Sequence, residues 1–547
     1  MRILVGTMEI CRHIHDLGDA FRTLGHEVDT VVIGKSPFYM DLPYDYLINQ
    51  EKLFQHLAQL VQNPLSTFLQ LPDELTRLRH FLTDYDVYVF QFAQSLLPGN
   101  RDYPILKQQG KKIISIFNGS DIRHWSAAEP VAAAYNYQIP EMCREEPFCH
   151  LPARLLNIRM AERYADAIFS LPFQSELAVR PYWHFFLPFN LDLYGHRIPE
   201  RDVPVLVHAP SRRKFKGTDR FLAVLDRLRS EGVPFELKLL EGVPNQEVIR
   251  TLIEADVVLD ELHAPHYAML ALEGMATGCA VVAGCQRDYV PLQGDSPVFN
   301  VHAETLYDRL KLLLTDKAVR LDHARRGRPF VEQGHRHTGV AAGLLAKLKR
   351  PDEPYEYYPS FFARAYQYPD GETVPEGLKR MTAEIIQRHG LPDGMEPDAL
   401  VERRLIAPEG LSPDKPVLHW RPAASYGVKE QIWGWSPRAD KVIAEASQND
   451  ADDKVYAVIH LVEQALDALD EADAEAAGAM LQQCIEQYQA DPETFGHADV
   501  LTALGRLAVE LDHQEAALAL LTQAYKADPT RSSLQQTLQT LVAKVAA

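Results

Sequence analysis

Apolar residues in the first 345 positions fall into short solid runs separated by stretches of helical spacing. RILVG at the start is a run of strand length. HDLGDAFRTLGHEV follows, with Leu17, Phe21 and Leu24 on one helical face and Gly25 as its stop. HEVDTVVIG is the next run, and this strand–helix–strand opening predicts a parallel sheet. The pattern continues with helices near 51–62 and 71–83, the strand DVYVFQF (86–92) and the helix YPILKQQG closed by Gly110. KKIISIFNGSD is a strand running into a polar loop, 151–165 a helix, and DAIFSLP a strand. After linker-like residues 188–203 a second series begins with the strand PVLVHAP, helix 217–231, strand FELKLL and helix 246–254. It ends with the strand ADVVLDE, helix 267–277 and strand CAVVAG. Two such series predict two doubly wound α/β domains, whose ligands sit outside the carboxyl ends of the strands.

Residues 350–440 lose this periodicity and are rich in Pro, Tyr, Trp and Gly, which predicts a connecting module with little regular structure. From 441 the chain turns Ala- and Leu-rich, with roughly three acidic residues for each basic one. In ALGRLAVELDHQEAALALLTQAYKADP, Leu504, Gly505, Ala517, Leu521, Ala524 and Pro529 fall at the signature positions of a 34-residue TPR unit. A weaker unit ends at YQADP (488–492). A plain helical bundle is the simpler alternative.

Composition narrows the function. The 547 residues are 46% hydrophobic and 24% charged, an ordinary globular balance, with a formal net charge of −19. That charge argues against a general nucleic-acid binder and against broad adhesion to anionic lipid. Six scattered cysteines without a CxxC pair point to a reducing cytoplasm rather than a disulfide framework. Cys143, Cys149 and His150 lie close together but lack the spacing of a zinc site, so no metal is expected. The N-terminus lacks the features of a signal peptide, and no run reaches the ~18 apolar residues of a membrane span. A cytoplasmic protein with at most peripheral membrane contact is expected.

Two clusters carry candidate chemistry. HAPSRRKFKGT (208–218) lies between a strand and a helix, where backbone N–H groups attract anions. Arg212, Arg213, Lys214 and Lys216 there would suit a diphosphate leaving group, on which charge develops as its bond breaks. A solvated basic turn is the other explanation. ELHAPHYAMLALEGMATGCAVVAG (261–284) runs from a two-histidine loop through a helix to a buried strand. Glu273 within it is either a buried structural carboxylate or an acceptor for ribose hydroxyls.

Together, in this order and about 60 residues apart, the two clusters resemble the retaining GT-B glycosyltransferases of the glycogen-synthase-like, family 4 type. SRRKFKG resembles that family's Arg/Lys pair before a Gly, and ALEGMATGCAVVAG is similar to its EAMA-x-G-x-P-V-V segment. LGDAFRTLGHEVDTVV, FNGSDIR and RYADAIFSLP fit as well, so that the resemblance spans roughly 1–345. It implies a Rossmann-like acceptor-side domain at 1–190 and a Rossmann-like nucleotide-sugar domain at 204–349. The module of unknown fold (350–440) and the TPR-like tail (441–547) would follow.

The resemblance also implies roles. Arg212 or Arg213 with Lys216 would bind the diphosphate, and Glu273 the ribose. Ser211, His266, Tyr267, Ala268 and Met269 would line the donor, with Gly6 and the loop to Glu9 opposite. His13, Asn118, Asp121 and Arg123 would face the acceptor. His15 and His263 are further candidates for the cleft. The donor would be a UDP-, GDP- or ADP-sugar and the acceptor a glycan or protein, with no cofactor and no metal. The tail would dock the acceptor or a partner protein. Departures exist. Pro265 stands where the family's first glutamate is common, Asn118 replaces a frequent His, and Gly6 stands alone where a Gly pair is usual. They leave room for an unusual donor or for the alternative of a weak or inactive GT-B-like scaffold for an active enzyme, which Pro265 and Asn118 support and the retained Arg212, Lys216 and Glu273 oppose. A GT-B epimerase or phosphorylase finds no matching acidic, His or Lys pattern.

Overall fold

Residues are described in the computed structural model at 1–34, 39–48, 73–123, 137, 151–171, 177–264, 266–285, 296–350, 355–356, 374–391, 397–407, 474–490 and 498–527, with single positions at 461, 465, 538, 541 and 542. The helix expected near 51–62, the Cys143–Cys149–His150 group and Pro265 lie outside them.

The apolar runs form two parallel sheets. The first contains β1 (Arg2–Thr7), β2 (Glu27–Val32), β3 (Tyr46–Leu47), β4 (Val87–Gln91), β5 (Lys112–Ile116), β6 (Ala167–Ser170) and β7 (Trp183–His184). Their order is β3-β2-β1-β4-β5-β6-β7, so the winding reverses between β1 and β4. The second contains β8 (Val205–His208), β9 (Glu236–Leu239), β10 (Val257–Leu259), β11 (Ala280–Ala283) and β12 (Phe299–Asn300), ordered β12-β11-β10-β8-β9, with its reversal between β8 and β10. The two-residue strands β3, β7 and β12 are too short to register as periodicity.

Strand residues alternate between faces, as a pleat requires. Leu4, Tyr88, Phe90 and Ile113 belong to one core, whereas Ile3, Val5, Val87, Val89, Ile114 and Ile116 belong to another. The second core also holds Ile14, Leu17 and Phe21 of α1 (His13–Thr23), the helix that Gly25 stops at φ +83°. The remaining helices of the first lobe are α2 (Asp73–Thr83), α3 (Tyr103–Gln108) and α4 (Leu151–Tyr164).

The second lobe carries α5 (Arg213–Lys216), α6 (Thr218–Ser230), α7 (Asn245–Ile253), α8 (Met269–Thr277), α9 (Leu306–Thr315), α10 (Lys317–His335) and α11 (His337–Lys349). Gly274 lets α8 settle onto its sheet, because a Cβ there would meet Val258 Cγ2 at 2.8 Å. That close approach fixes the neighbouring Glu273. The chain crosses between lobes twice. At the crossings Phe189 N–H donates to His335 O (2.8 Å) and His337 N–H to Phe189 O (3.0 Å). The imidazole of His337 and the amide of Asn190 both reach Asp19 of α1, at 3.1 and 3.2 Å. Past this point α11 lies against α1 of the first lobe.

The connecting segment differs from expectation. Within it α12 (Glu376–His389) and α13 (Pro397–Glu402) are regular helices. Leu378, Ala383, Ile385, Ile386 and Leu400 enter the same core as Leu155 and Ile158 of α4. Arg159 Nε donates to Thr382 Oγ1 (2.8 Å) from a fully buried pair with Glu162. This stretch therefore completes the first lobe. Its helical signal is diluted by the Pro- and Tyr-rich sequence around it.

The tail contains α14 (Ala474–Ala490), α15 (Ala498–Glu510) and α16 (Gln514–Ala527). Leu504, Ala517, Leu521 and Ala524 are all fully buried between them. At Gly505 the last two helices come so close that a Cβ would meet Leu521 Cδ2 and Cγ at 2.6 Å.

Candidate functional site

At the carboxyl end of β8 the chain makes the short turn α5 and then leaves through Gly217 at φ +75°. A Cβ at Gly217 would strike Leu262 Cβ (2.8 Å) and His263 Nε2 (3.1 Å), so glycine is what lets the β10–α8 loop lie on this turn. The contact places Lys216 against the end of β10. Its ammonium bonds Asp260 Oδ1 at 2.8 Å and lies 3.3 Å from Glu261 Oε2, with only 12% of its side chain exposed. Burial alone would lower the lysine's pKa, but the charges of Asp260 and Glu261 outweigh it and raise it. Burial raises Glu261 in turn, against the pull of Lys216.

Asp260 has a second role. Its Oδ2 accepts from the backbone N–H of Ala268 (3.4 Å) and Ala271 (3.2 Å) in the first turn of α8. A carboxylate there answers the positive end of the helix dipole. One carboxylate thus joins the lysine of one βα loop to the helix N-terminus of the next.

One turn into α8, Glu273 is 3% exposed and forms no ion pair among the described residues. Its Oε1 accepts from Asn245 Nδ2 (2.8 Å) and Tyr194 Oη (3.2 Å). Burial pushes its carboxyl up to about 7, against these hydrogen bonds and the Arg12 charge. The first lobe approaches here through its first βα loop. Burial pushes the Cys11 thiol up to about 12, and Lys216, Glu273, Glu9 and Asp260 are all near enough to act on it electrostatically. Cys11 and Arg12 hold left-handed backbone at φ 51° and 70°, a conformation non-glycine residues seldom adopt. Arg12 pairs with Asp16 at 3.2 Å. Glu9 braces the loop by accepting from the N–H of Ile14 and His15 (both 3.2 Å) and from Tyr44 Oη (2.8 Å), and burial lifts it to about 7.

The residues expected from sequence distribute unequally. Lys216, Glu273, Ala268 and Met269 gather at this junction. Ser211, Arg212, Arg213 and Lys214 are exposed, and Arg213 bonds Glu241 (2.9 Å) and Asp219 (3.0 Å) at the surface. Of the basic run, Lys216 alone turns inward, and two carboxylates meet it there. His266 stacks on Tyr267 at 4.9 Å, and burial lowers it to about 3. Tyr267 Oη bonds His335 Nε2 (2.9 Å), tying the loop to α10. Gly6 lies within β1, where a Cβ would meet Val31 O at 2.9 Å. His263 N–H donates to Glu261 Oε1 (3.2 Å). His15 Nδ1 lies 2.9 Å from Asp16 Oδ1.

On the first lobe, Asp121 accepts from Gly119 N–H (2.7 Å) and Asn118 N–H (3.1 Å), and burial raises it to about 6. Arg123 lies close enough to oppose that rise, and its carbonyl accepts from Arg154 Nη1 (2.7 Å). His13 opens α1 in full burial. Sequence reasoning missed Arg12, Gln91, Tyr194, Asn245, Asp260 and Glu261. Asp260 and Glu261 carried a usable signal: two acids closing an apolar strand at the sheet's ligand-facing end.

Among the described residues no group of three or more His, Cys, Asp or Glu is placed to hold a metal ion, and no helix is long and apolar enough to cross a membrane.

No protein-family model matches the chain, and no curated protein matches it. Among solved structures it is similar to sucrose-phosphate synthase from Thermosynechococcus elongatus, at 14% identity and a TM-score of 0.40 over 64% of this chain and 98% of that one. A glycosyltransferase from Rickettsia africae aligns at 13% identity and a TM-score of 0.42, over the same shares of the two chains. WaaG, a glycosyltransferase involved in lipopolysaccharide biosynthesis, aligns at 15% identity and a TM-score of 0.38, over 64% and 99%. At these values none of the three assigns an activity to this chain.

Proposed function

We propose that the chain is a GT-B-type glycosyltransferase that binds a nucleotide sugar between its two lobes. The observation that carries this is the convergence of Lys216, the first turn of α8 and Glu273 opposite the Cys11–Arg12 loop. In this reading Lys216 and the α8 amides stabilise the charge that develops on the diphosphate as the glycosidic bond breaks. Asp260 holds both groups until the donor arrives, and the diphosphate competes for them. Glu273, fixed by Asn245 and Tyr194, accepts from ribose hydroxyls. Arg12 supplies a second cation from the first lobe. Transfer proceeds with retention, by front-face displacement in which the leaving phosphate takes the acceptor proton, so the protein mainly positions and neutralises. The acceptor is a glycan or a protein, and the tail acts as a TPR-like platform that presents it or a partner. Protein and substrates meet in the cytoplasm.

A second reading has one observation in its favour. Lys216 already faces two carboxylates, while Arg213 is engaged at the surface. A site so neutralised suits a non-catalytic scaffold that supports an active partner. Calorimetric titration with UDP-, GDP- and ADP-sugars separates the two. The enzyme binds at least one of them and hydrolyses or transfers its sugar; the scaffold turns none over. Failure of all three to bind removes the donor site.

A further inference from the structure

The lobes also touch at a point apart from the crossings and the Cys11–Arg12 loop. Tyr137 falls between β5 and α4 in the chain and so belongs to the first lobe. Its side chain is nevertheless seated in the second, and the residue is only 2% exposed. The hydroxyl donates to Asn300 Oδ1 (3.0 Å) at the end of β12, and the ring stands edge-on to His302 with centroids 6.2 Å apart. Gly284, just past β11, makes the seat. A Cβ there would meet Tyr137 Cε1 at 2.7 Å and would also strike the carbonyl oxygen of Ala264. The missing methyl lets a ring from one lobe and the backbone of the β10–α8 loop share one notch.

That loop is part of the Lys216 pocket. Gly284 N–H donates to Glu261 O (2.6 Å), and Glu261 Oε2 lies 3.3 Å from the Lys216 ammonium. Asn300 Oδ1, which accepts from the tyrosine, also accepts from the N–H of Cys285 (2.8 Å), the residue after Gly284. Contacts therefore run from a first-lobe phenol through the ends of β11 and β12 to the carboxylate beside Lys216. If Tyr137 left its seat, Asn300 would lose a donor and the backbone around Gly284 and Ala264 would lose the ring packed on it.

We infer that Tyr137 is a positioning residue of the cleft, a clasp from the first lobe that holds the loop carrying Glu261, and through it the ammonium of Lys216, in place. Lobe contact and the order of the Lys216 pocket are then one equilibrium. The part this clasp plays in donor binding rests on the proposed transferase; the coupling between Tyr137 and Lys216 does not.

The test is a double-variant cycle on the full chain. Hydrogen–deuterium exchange is read by mass spectrometry at the amides of Gly284, Cys285 and Val301, with 187–190 as the control at the crossings. Tyr137→Phe keeps the ring and removes one hydrogen bond, so exchange at the three amides should rise about two- to tenfold, more in Tyr137→Ala, and stay unchanged at the control. Lys216→Met should speed the same amides by releasing Glu261. With the two sites coupled, the Tyr137→Phe, Lys216→Met double should depart from the product of the singles by more than about twofold. A plain product, or no change in either Tyr137 variant, overturns the inference and leaves Tyr137 as packing. Calorimetry with UDP, GDP and ADP adds the functional arm. Whichever binds the parent should bind Tyr137→Phe about two- to tenfold more weakly, and equal affinity overturns the positioning role. Failure of all three to bind the parent while the cycle stays non-additive sinks the donor reading and upholds the clasp.

Discussion

Lys216→Met removes a cation wedged against two buried carboxylates. The lysine side chain is 12% exposed, Asp260 fully buried and Glu261 3% exposed, so water cannot replace the lost charge. Breaking such a pair from one side costs about 3–5 kcal/mol, since the remaining charge is stranded. Asp260 keeps its bonds to Ala268 and Ala271, and Glu261 can take up a proton, which puts the expected loss near the lower bound, about 3 kcal/mol. For a lobe of roughly 150–200 residues that lowers the melting midpoint by about 6–12 °C. Asp260→Asn in the same chain removes one stranded charge, so the double variant should melt above the Lys216→Met single. Thermal unfolding by circular dichroism gives the midpoints, and turnover is measured well below the lowest of them. There Lys216→Met should lose about two to three orders of magnitude in rate, as for any lost stabiliser of a leaving group. Two results refute the reasoning. A Lys216→Met midpoint within a degree of the parent would mean the carboxylates do not depend on this ammonium. Full turnover in the folded variant would take Lys216 out of the chemistry.

Glu273→Gln tests the buried carboxyl by pH. The folded group titrates at about 7 against an ordinary value of 4.5, so stability is lost as pH rises from 4.5 through 7, where the unfolded chain ionises and the folded site resists. Glutamine keeps an oxygen for Asn245 and Tyr194 without ionising; its melting midpoint should match the parent at about pH 4.5 and exceed it at pH 8. Equal midpoints at both pH values would show that Glu273 ionises in the fold without cost. Gly505→Ala carries an unusual sign. Gly to Ala inside a helix normally gains about 0.5–1 kcal/mol, but here the new methyl meets Leu521 Cδ2 and Cγ at 2.6 Å. Faster backbone hydrogen exchange across 498–527 is expected, and slower exchange would mean that the two helices are not packed at this point.

The strand-and-helix alternation was readable because fully buried parallel strands leave solid apolar runs, as in Val257–Leu259 and Ala280–Ala283. Gly25, Gly110 and Gly278 punctuated it where a left-handed backbone ends a helix. The electrostatics of the site were less accessible. A run of Arg and Lys states how much charge is present, not which side chain turns inward. That choice is made by Gly217, whose missing Cβ seats the β10–α8 loop on the turn and brings Asp260 and Glu261 to Lys216. Glu273 was legible as a carboxylate among apolar residues, whereas Tyr194 and Asn245 reach it from 79 and 28 positions away, beyond any local pattern. His13, Gln91 and Asn118 likewise come from three separate elements and meet only once the sheet is assembled.

The paired crossings at Phe189 and Arg336 act as the spine of a book. Because the two chain segments run side by side as a parallel bridge, and Asp19 holds a side chain from each, neither can slide without the other. A shear between the lobes at this seam would have to break both backbone bonds and both Asp19 contacts at once. Were the cleft to open by turning about this line instead, a residue's displacement would grow with its distance from the spine, and a substrate wedged far from it would have the longest lever on closure.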